Sequence, residues 1–199
     1  MVRSSKDDRN KKEKVIYIRN LSGFDRDSFL RIVKGYTSNQ KYQVVRGSTP
    51  RKTTISLKLT KLSKPYEKIY EYTELELLGY EKLVSEGLSI GAFDGERMIG
   101  VSIGEYHVWN KSFWVWDFHV DPDFKRHHIG TMMMDEIEKL AVKSHARCIV
   151  CETQNTNVPA IKFYRKVGFE IEGVDLSYYT NNDVEGFEVA IFMKKKLSR

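Results

Sequence analysis

The sequence predicts a mixed α/β fold, a mostly antiparallel sheet with helices packed against it. Three observations carry this expectation. Asp94-Gly95 stands between two apolar runs, 88–93 and 97–108, which marks a tight β-hairpin. The apolar, aromatic run 113–120 follows as a third strand and stops at Asp121-Pro122. Two segments of helical period, 129–144 and 157–167, then alternate with strand-like segments at 147–153, 169–177 and 187–193. Consecutive strands followed by crossover helices late in the chain imply a mixed sheet. At 199 residues and 41% hydrophobic content, the chain suffices for one sizeable core and is marginal for two.

Residues 1–14 lack apolar periodicity and are expected to form a tail outside one domain at 15–199. Residues 15–18 make a short strand. Residues 22–36 read as a helix, with Phe24, Phe29, Ile32 and Val33 at helical spacing and Asp25 and Asp27 in its first turn. In 37–65 the runs 42–45 and 54–59 alternate like strands around Gly47 and Pro50. This segment stays open between a sheet edge, an excursion and an interaction surface. Residues 70–87 set Tyr72, Leu75, Leu78, Tyr80 and Leu83 among five glutamates, one or two amphipathic helical pieces. Asn110-Lys111 turns the chain into the 113–120 strand. Ile129, Met133, Ile137 and Leu140 give the next helix its apolar face, and Val158, Ile161, Tyr164 and Val167 the one after. Gly168 stops that helix, and 180–183 is rich in turn residues.

The net charge of +6 is unevenly spread: residues 15–65 carry +9, residues 66–105 carry −6, and residues 169–193 carry −6 with no Lys or Arg. That pattern argues against a uniformly basic nucleic-acid surface. A mildly basic 106–168 segment beside an acidic one suits an anionic ligand next to a cationic one, although solvated faces explain any single block equally well. No apolar run has bilayer-spanning length and the N-terminus is charged, so a cytoplasmic location is expected. Cys148 and Cys151, three apart in a strand, point to opposite faces. They fit neither a disulfide nor a metal clip and are expected to be buried fillers.

The strand ending at Val120 leads into a loop basic at Lys125 and Arg126, then His127, His128 and a helix start at Ile129. Strand, basic loop and helix N-terminus together hold phosphate, because unpaired N–H groups and the helix dipole point at one spot. Adjacent histidines lack the spacing for one metal face, and no acidic cluster completes a site, so no metal is expected.

Two motifs resemble those of the GNAT superfamily of N-acetyltransferases. Lys125-Arg-His-His-Ile-Gly130 stands where the superfamily's pyrophosphate loop reads Arg/Gln-x-x-Gly-x-Gly/Ala; the last glycine is kept and His128 replaces the first. The pattern Asn157-x-x-Ala160-x-x-x-Tyr164-x-x-x-Gly168-Phe169 is complete. With the Asp94-Gly95 hairpin and the strand ending at Val120, the likeness covers roughly residues 88–195. Glu152-Thr-Gln, Asn157, Ala160, Gly168-Phe169 and Val174-Asp175 are, more narrowly, similar to streptothricin acetyltransferases, which acetylate an amine of a cationic antibiotic. The basic segment 1–65 departs from them.

The resemblance implies a GNAT fold, with a central sheet of about six or seven strands, and acetyl-CoA as cosubstrate without a metal. It implies a pyrophosphate seat built from Lys125, Arg126, His127, His128, Ile129, Gly130 and Thr131. The pantetheine arm would lie along Phe118, His119 and Val120, beside Asn157, Ala160 and Phe163. Tyr164 would be the general acid on the sulfur, a role that needs a protonated phenol.

A lysine-like amine is neutral in only about one molecule in 10³ at pH 7, so an acid is wanted beside the acceptor. Asp117 and Glu152, each inside an apolar run, are the candidates. Glu105 and Asp175 are candidates for binding a cation. Trp116 and Tyr178, with Trp109, Trp114 and Tyr179, are candidates for aromatic walls. The expected partner is an amine-bearing small molecule, with no membrane and no nucleic acid; a homodimer is left open. Two rival readings stay open: a protein or peptide N-acetyltransferase docking an acidic partner through 15–65, and a non-catalytic coenzyme A-binding or nucleic-acid-associated module.

Overall fold

The computed structural model describes residues 16–124 and 127–198. The expected tail at 1–14 and the two loop cations, Lys125 and Arg126, lie outside the described residues. The main sheet has seven strands: β1 (Ile16–Asn20), β4 (Ile90–Asp94), β5 (Arg97–His107), β6 (Ser112–Val120), β7 (Cys148–Gln154), β9 (Ala190–Lys196) and β8 (Glu170–Asp175), in that spatial order. Every neighbouring pair is antiparallel except β6 with β7. Helices α3 (Ile129–Lys143) and α4 (Val158–Lys166) bury Met133, Ile137 and Ile161 against Ile99, Phe113 and Ile149. Helices α1 (Arg26–Ile32) and α2 (Glu74–Ser85) bury Phe29, Ile32, Leu77 and Val84 against Val101 and Ile103.

Local chemistry sets the ends. Helix α1 is shorter than the 22–36 periodicity suggests, because the Asp25 side chain caps it by accepting from Ser28 N–H. Segment 70–87 holds one helix, opened by a capping box between Thr73 and Glu76. The last two strands also differ from 169–177 and 187–193. Between them residues 176–189 form a loop, in which the Asp183 carboxylate accepts from Tyr179 N–H at 2.9 Å and Thr180 N–H at 2.7 Å. Cys148 and Cys151 are buried free thiols. No described helix is long and apolar enough to cross a membrane.

Strands β2 (Gly35–Thr49) and β3 (Lys52–Ile69) pair only with each other, so segment 37–65 is a separate ribbon and no edge of the main sheet. A lone two-stranded ribbon is marginal in water. Its base is tied to the β7–α4 corner: Tyr42 N–H donates to Asn155 O at 2.9 Å, and Asn155 Nδ2 returns a bond to Tyr42 O at 2.8 Å. The Glu188 carboxylate accepts from Tyr66 at 2.9 Å and from Lys68 at 2.6 Å.

Two features of β6 frame the site. It pairs with β7 only from Ser112↔Cys148 to Val115↔Cys151, then runs on alone on that side to Val120. Against β5, Val115 pairs with Gly104 and Asp117 with Ile103, so Trp116 is an extra, bulged residue. The bulge resets the alternation of side chains. Val115 and then Phe118 and Val120 pack toward α3 and α4, while Asp117 bonds to Tyr72 on the opposite side.

Candidate active site

A cleft of about 530 Å³ is lined by Phe118, Val120, His128, Gly130, Thr131 and Lys166, among others. Helix α3 opens it with a bare N-terminus: among the described residues no side chain caps it, and no acid occupies its first turn. The N–H groups of Ile129, Gly130 and Thr131 therefore have no intrahelical partner, and with the dipole and the Lys166 ammonium they suit a phosphate. His128 takes a left-handed conformation, φ 59° and ψ 8°. Glycine, which the resembled motif has at this position, adopts such a backbone without strain. A Cβ at Gly130 would lie 3.2 Å from the Phe163 ring, so any larger residue there would press that ring by a few tenths of an ångström. His127 is exposed.

Beyond Val115 the splay of β6 from β7 leaves the backbone edge at 116–120 open toward β7. An extended amide-bearing arm can add to such an edge as a strand does. Phe118 lines the phosphate cleft and also a second cavity, of about 320 Å³, so the two meet there.

That second cavity is walled by Tyr70, Tyr72, Tyr80, Tyr164 and Tyr178, with Asp117 and Glu152 between them. Asp117 is 7% exposed. Its Oδ1 accepts from the Tyr72 hydroxyl at 2.9 Å and lies 2.8 Å from His119 Nε2. Its Oδ2 is buried and has no hydrogen-bond partner among the described residues. Burial pushes the Glu152 carboxyl up to about 7; the nearby Glu188 and Asp117 add to the rise, and a hydrogen bond from Tyr179 moderates it. Burial, and then the Asp117 charge, hold the Tyr70, Tyr72 and Tyr80 phenols well above their ordinary value. A field that resists ionising a phenol favours a cation in the same place. The Tyr164 phenol, buried against the Cys151 thiol, is likewise pushed up and stays protonated.

The structure brings Trp116, Asp117, Phe118, His119, Glu152, Asn157, Ala160, Tyr164 and Tyr178 to this cavity. Asn157 also serves the fold, its Oδ1 accepting from Ala160 N–H at 3.2 Å as the cap of α4. Glu105 lies outside the lining, accepting from Trp116 Nε1 at 2.7 Å. Asp175, also outside it, accepts from Ser177 N–H at 3.0 Å. Tyr70, Tyr72, Tyr80, Glu71 and Glu76, not among the candidate site residues of the sequence, also line the cavity; their signal is the interleaving of tyrosines with glutamates before Gly87, the segment that also resembles the streptothricin acetyltransferases. Among the described residues no three His, Cys, Asp or Glu side chains group closely enough for a metal ion.

The family model for the acetyltransferase (GNAT) family matches residues 56–169. The chain belongs to the GNAT acetyltransferase family. Its seven-stranded mixed sheet agrees with the six or seven strands expected of that fold. It is 32% identical over 106 residues to the streptothricin acetyltransferase of Streptomyces lavendulae, covering 53% of this chain and 54% of that enzyme. It is 30% identical over 132 residues to streptothricin acetyltransferase A of Bacillus subtilis (strain 168), covering 66% and 74%. The chain thus spans about half the length of the first relative and about three quarters of the second. It also matches the structure of a putative streptothricin acetyltransferase from Bacillus anthracis str. Ames in complex with acetyl coenzyme A. That match has a TM-score of 0.71 at 26% identity and covers 92% of this chain and 99% of that one. The family's acetyl donor is acetyl-CoA.

Proposed function

We propose that this GNAT acetyltransferase moves the acetyl group of acetyl-CoA onto a primary amine of a cationic small molecule, of the streptothricin kind, with both substrates bound at once. The observation that carries the reading is Asp117 Oδ2, a buried carboxylate oxygen with no partner among the described residues, inside a tyrosine-walled cavity that adjoins the phosphate cleft. An ammonium group would satisfy it. Likeness to the Streptomyces lavendulae and Bacillus subtilis enzymes supports an antibiotic as acceptor, and the acetyl-CoA complex of the Bacillus anthracis protein supports the donor. Buried free thiols at Cys148 and Cys151 accord with work in a reducing cytoplasm.

Acetyl-CoA, when bound, supplies the activated acetyl thioester. The N–H groups at 129–131 and Lys166 hold its pyrophosphate, and the open edge of β6 at Phe118, His119 and Val120 lines up the arm. Asp117 anchors the acceptor's ammonium. Glu152, titrating near 7, takes the proton that leaves the amine nitrogen. Tyr164, held protonated, gives its hydroxyl proton to the departing sulfur.

The test is acetyl-CoA-dependent thiol release against streptothricin, other aminated antibiotics, polyamines and N-terminal peptides. Turnover on cationic small amines is expected. Turnover on peptides alone would transfer the reading to a protein acetyltransferase, and silence across the panel would overturn it.

A further inference from the structure

The aromatic wall of the acceptor cavity continues beyond it. Trp116, 42% exposed, stacks on Trp114 with ring centroids 5.4 Å apart, and Trp114 stacks on His107 at 5.3 Å. Glu105 is fixed alongside: its Oε2 accepts from Trp116 Nε1 at 2.7 Å and lies 3.1 Å from His107 Nε2. Its Oε1 takes no hydrogen bond from a described residue, and the side chain is 30% exposed. Trp114 also meets Phe192 edge-on, and Phe192 meets Tyr178, which lines the cavity. One aromatic floor therefore joins the cavity to a carboxylate outside it.

We propose that this ledge is a second cation subsite, taking a second ammonium or guanidinium group of the acceptor whose reactive amine sits at Asp117. The proposal rests on the functional reading above and deepens it. Indole faces attract cations, and a carboxylate beside them adds charge. The Trp116 Nε1–H bond already fixes Glu105, so binding need not order it. Glu105 pairs with Trp114, three residues before Asp117 on β6. The Trp116 bulge takes up one of the three, so two residues of strand rise, about 7 Å, separate the two anionic points along the strands. A single-amine acceptor leaves the ledge unused, whereas a dication of that span reaches both points.

The test compares α,ω-diamines of increasing length with monoamines of matched length. The ratio of their kcat/KM values is expected to peak, at roughly tenfold, where the two nitrogens span about 7 Å. It is expected to fall toward one in Glu105→Gln, which keeps an oxygen for Trp116 and His107 but loses the charge. A ratio flat with length, or unaltered in Glu105→Gln, would overturn the subsite and leave amine acetylation standing. Should no amine be acetylated, the functional reading itself fails, and binding decides the subsite. Bis-quaternary ammonium alkanes are then expected to quench tryptophan fluorescence most strongly at the same span, and less in Glu105→Gln. Quenching without length dependence would overturn it.

Discussion

The Tyr72 hydroxyl donates a hydrogen bond to Asp117 Oδ1 at 2.9 Å, which orients the carboxylate while its other oxygen stays buried with no partner among the described residues. A buried acceptor without a partner costs about 1–3 kcal/mol. The bulge at Trp116 puts Asp117 on that side of the sheet, and the segment leading into α2 supplies the tyrosine. The strain is what an amine-binding site would carry before its ligand arrives.

Asp117→Asn is expected to lower kcat/KM for a cationic amine by about 10²-fold, the scale for losing one partner of a buried charge pair. The melting temperature is expected to stay within a few degrees, because Tyr72 keeps an acceptor. Kinetics and a thermal melt on the same preparation check both. Unaltered kcat/KM would remove Asp117 from the anchoring role.

Glu152 links folding to pH. Its carboxyl titrates near 7 in the folded chain against 4.5 ordinarily, so the folded state holds the proton more tightly than the unfolded state does. Stability from this group is full below about 4.5 and is lost as pH rises through 7, by at most roughly 3 kcal/mol. Glu152→Gln is expected to flatten that decline, measured by denaturant unfolding between pH 5 and pH 8. In the native enzyme kcat/KM is expected to rise with pH and level off above about 7; a profile already flat below pH 6 would deny Glu152 the role of base.

Tyr164→Phe removes the acid and little else, since the ring stays packed on Phe118, Phe163 and Phe169. Turnover is expected to drop about 10²-fold or more, with acetyl-CoA affinity by calorimetry close to native. Unchanged turnover would assign the proton to another donor.

His128→Gly should relieve the left-handed backbone at the start of α3, a gain of about 1 kcal/mol, seen as a higher melting temperature. A β-branched valine there should cost stability instead. A drop in melting temperature with glycine would mean that the imidazole makes a contact worth more than the strain.

Much of the fold is legible locally. The Asp94-Gly95 hairpin, the apolar β6 and the periodic faces of α3 and α4 each depend on neighbours in sequence. The Trp116 bulge does not, because it exists only in the pairing of β6 with β5, yet it decides which side Asp117 and Phe118 each take. The β2–β3 ribbon shows its alternation, but its docking depends on Asn155 and Glu188, more than a hundred residues away. Tyr70, Tyr72 and Tyr80 were visible as tyrosines among glutamates. Helical spacing alone counts such rings as core, and only the approach of Asp117 shows that they also wall a cavity.

The measurement that bears most directly on the central claim is label transfer from acetyl-CoA carrying an isotopically marked acetyl group. The protein is incubated with streptothricin, and the product is read by mass spectrometry. One marked acetyl on an amine of streptothricin is expected, with far less product from Asp117→Asn. No label on streptothricin, or equal label with Asp117→Asn, would contradict the assignment of this cavity to a cationic amine.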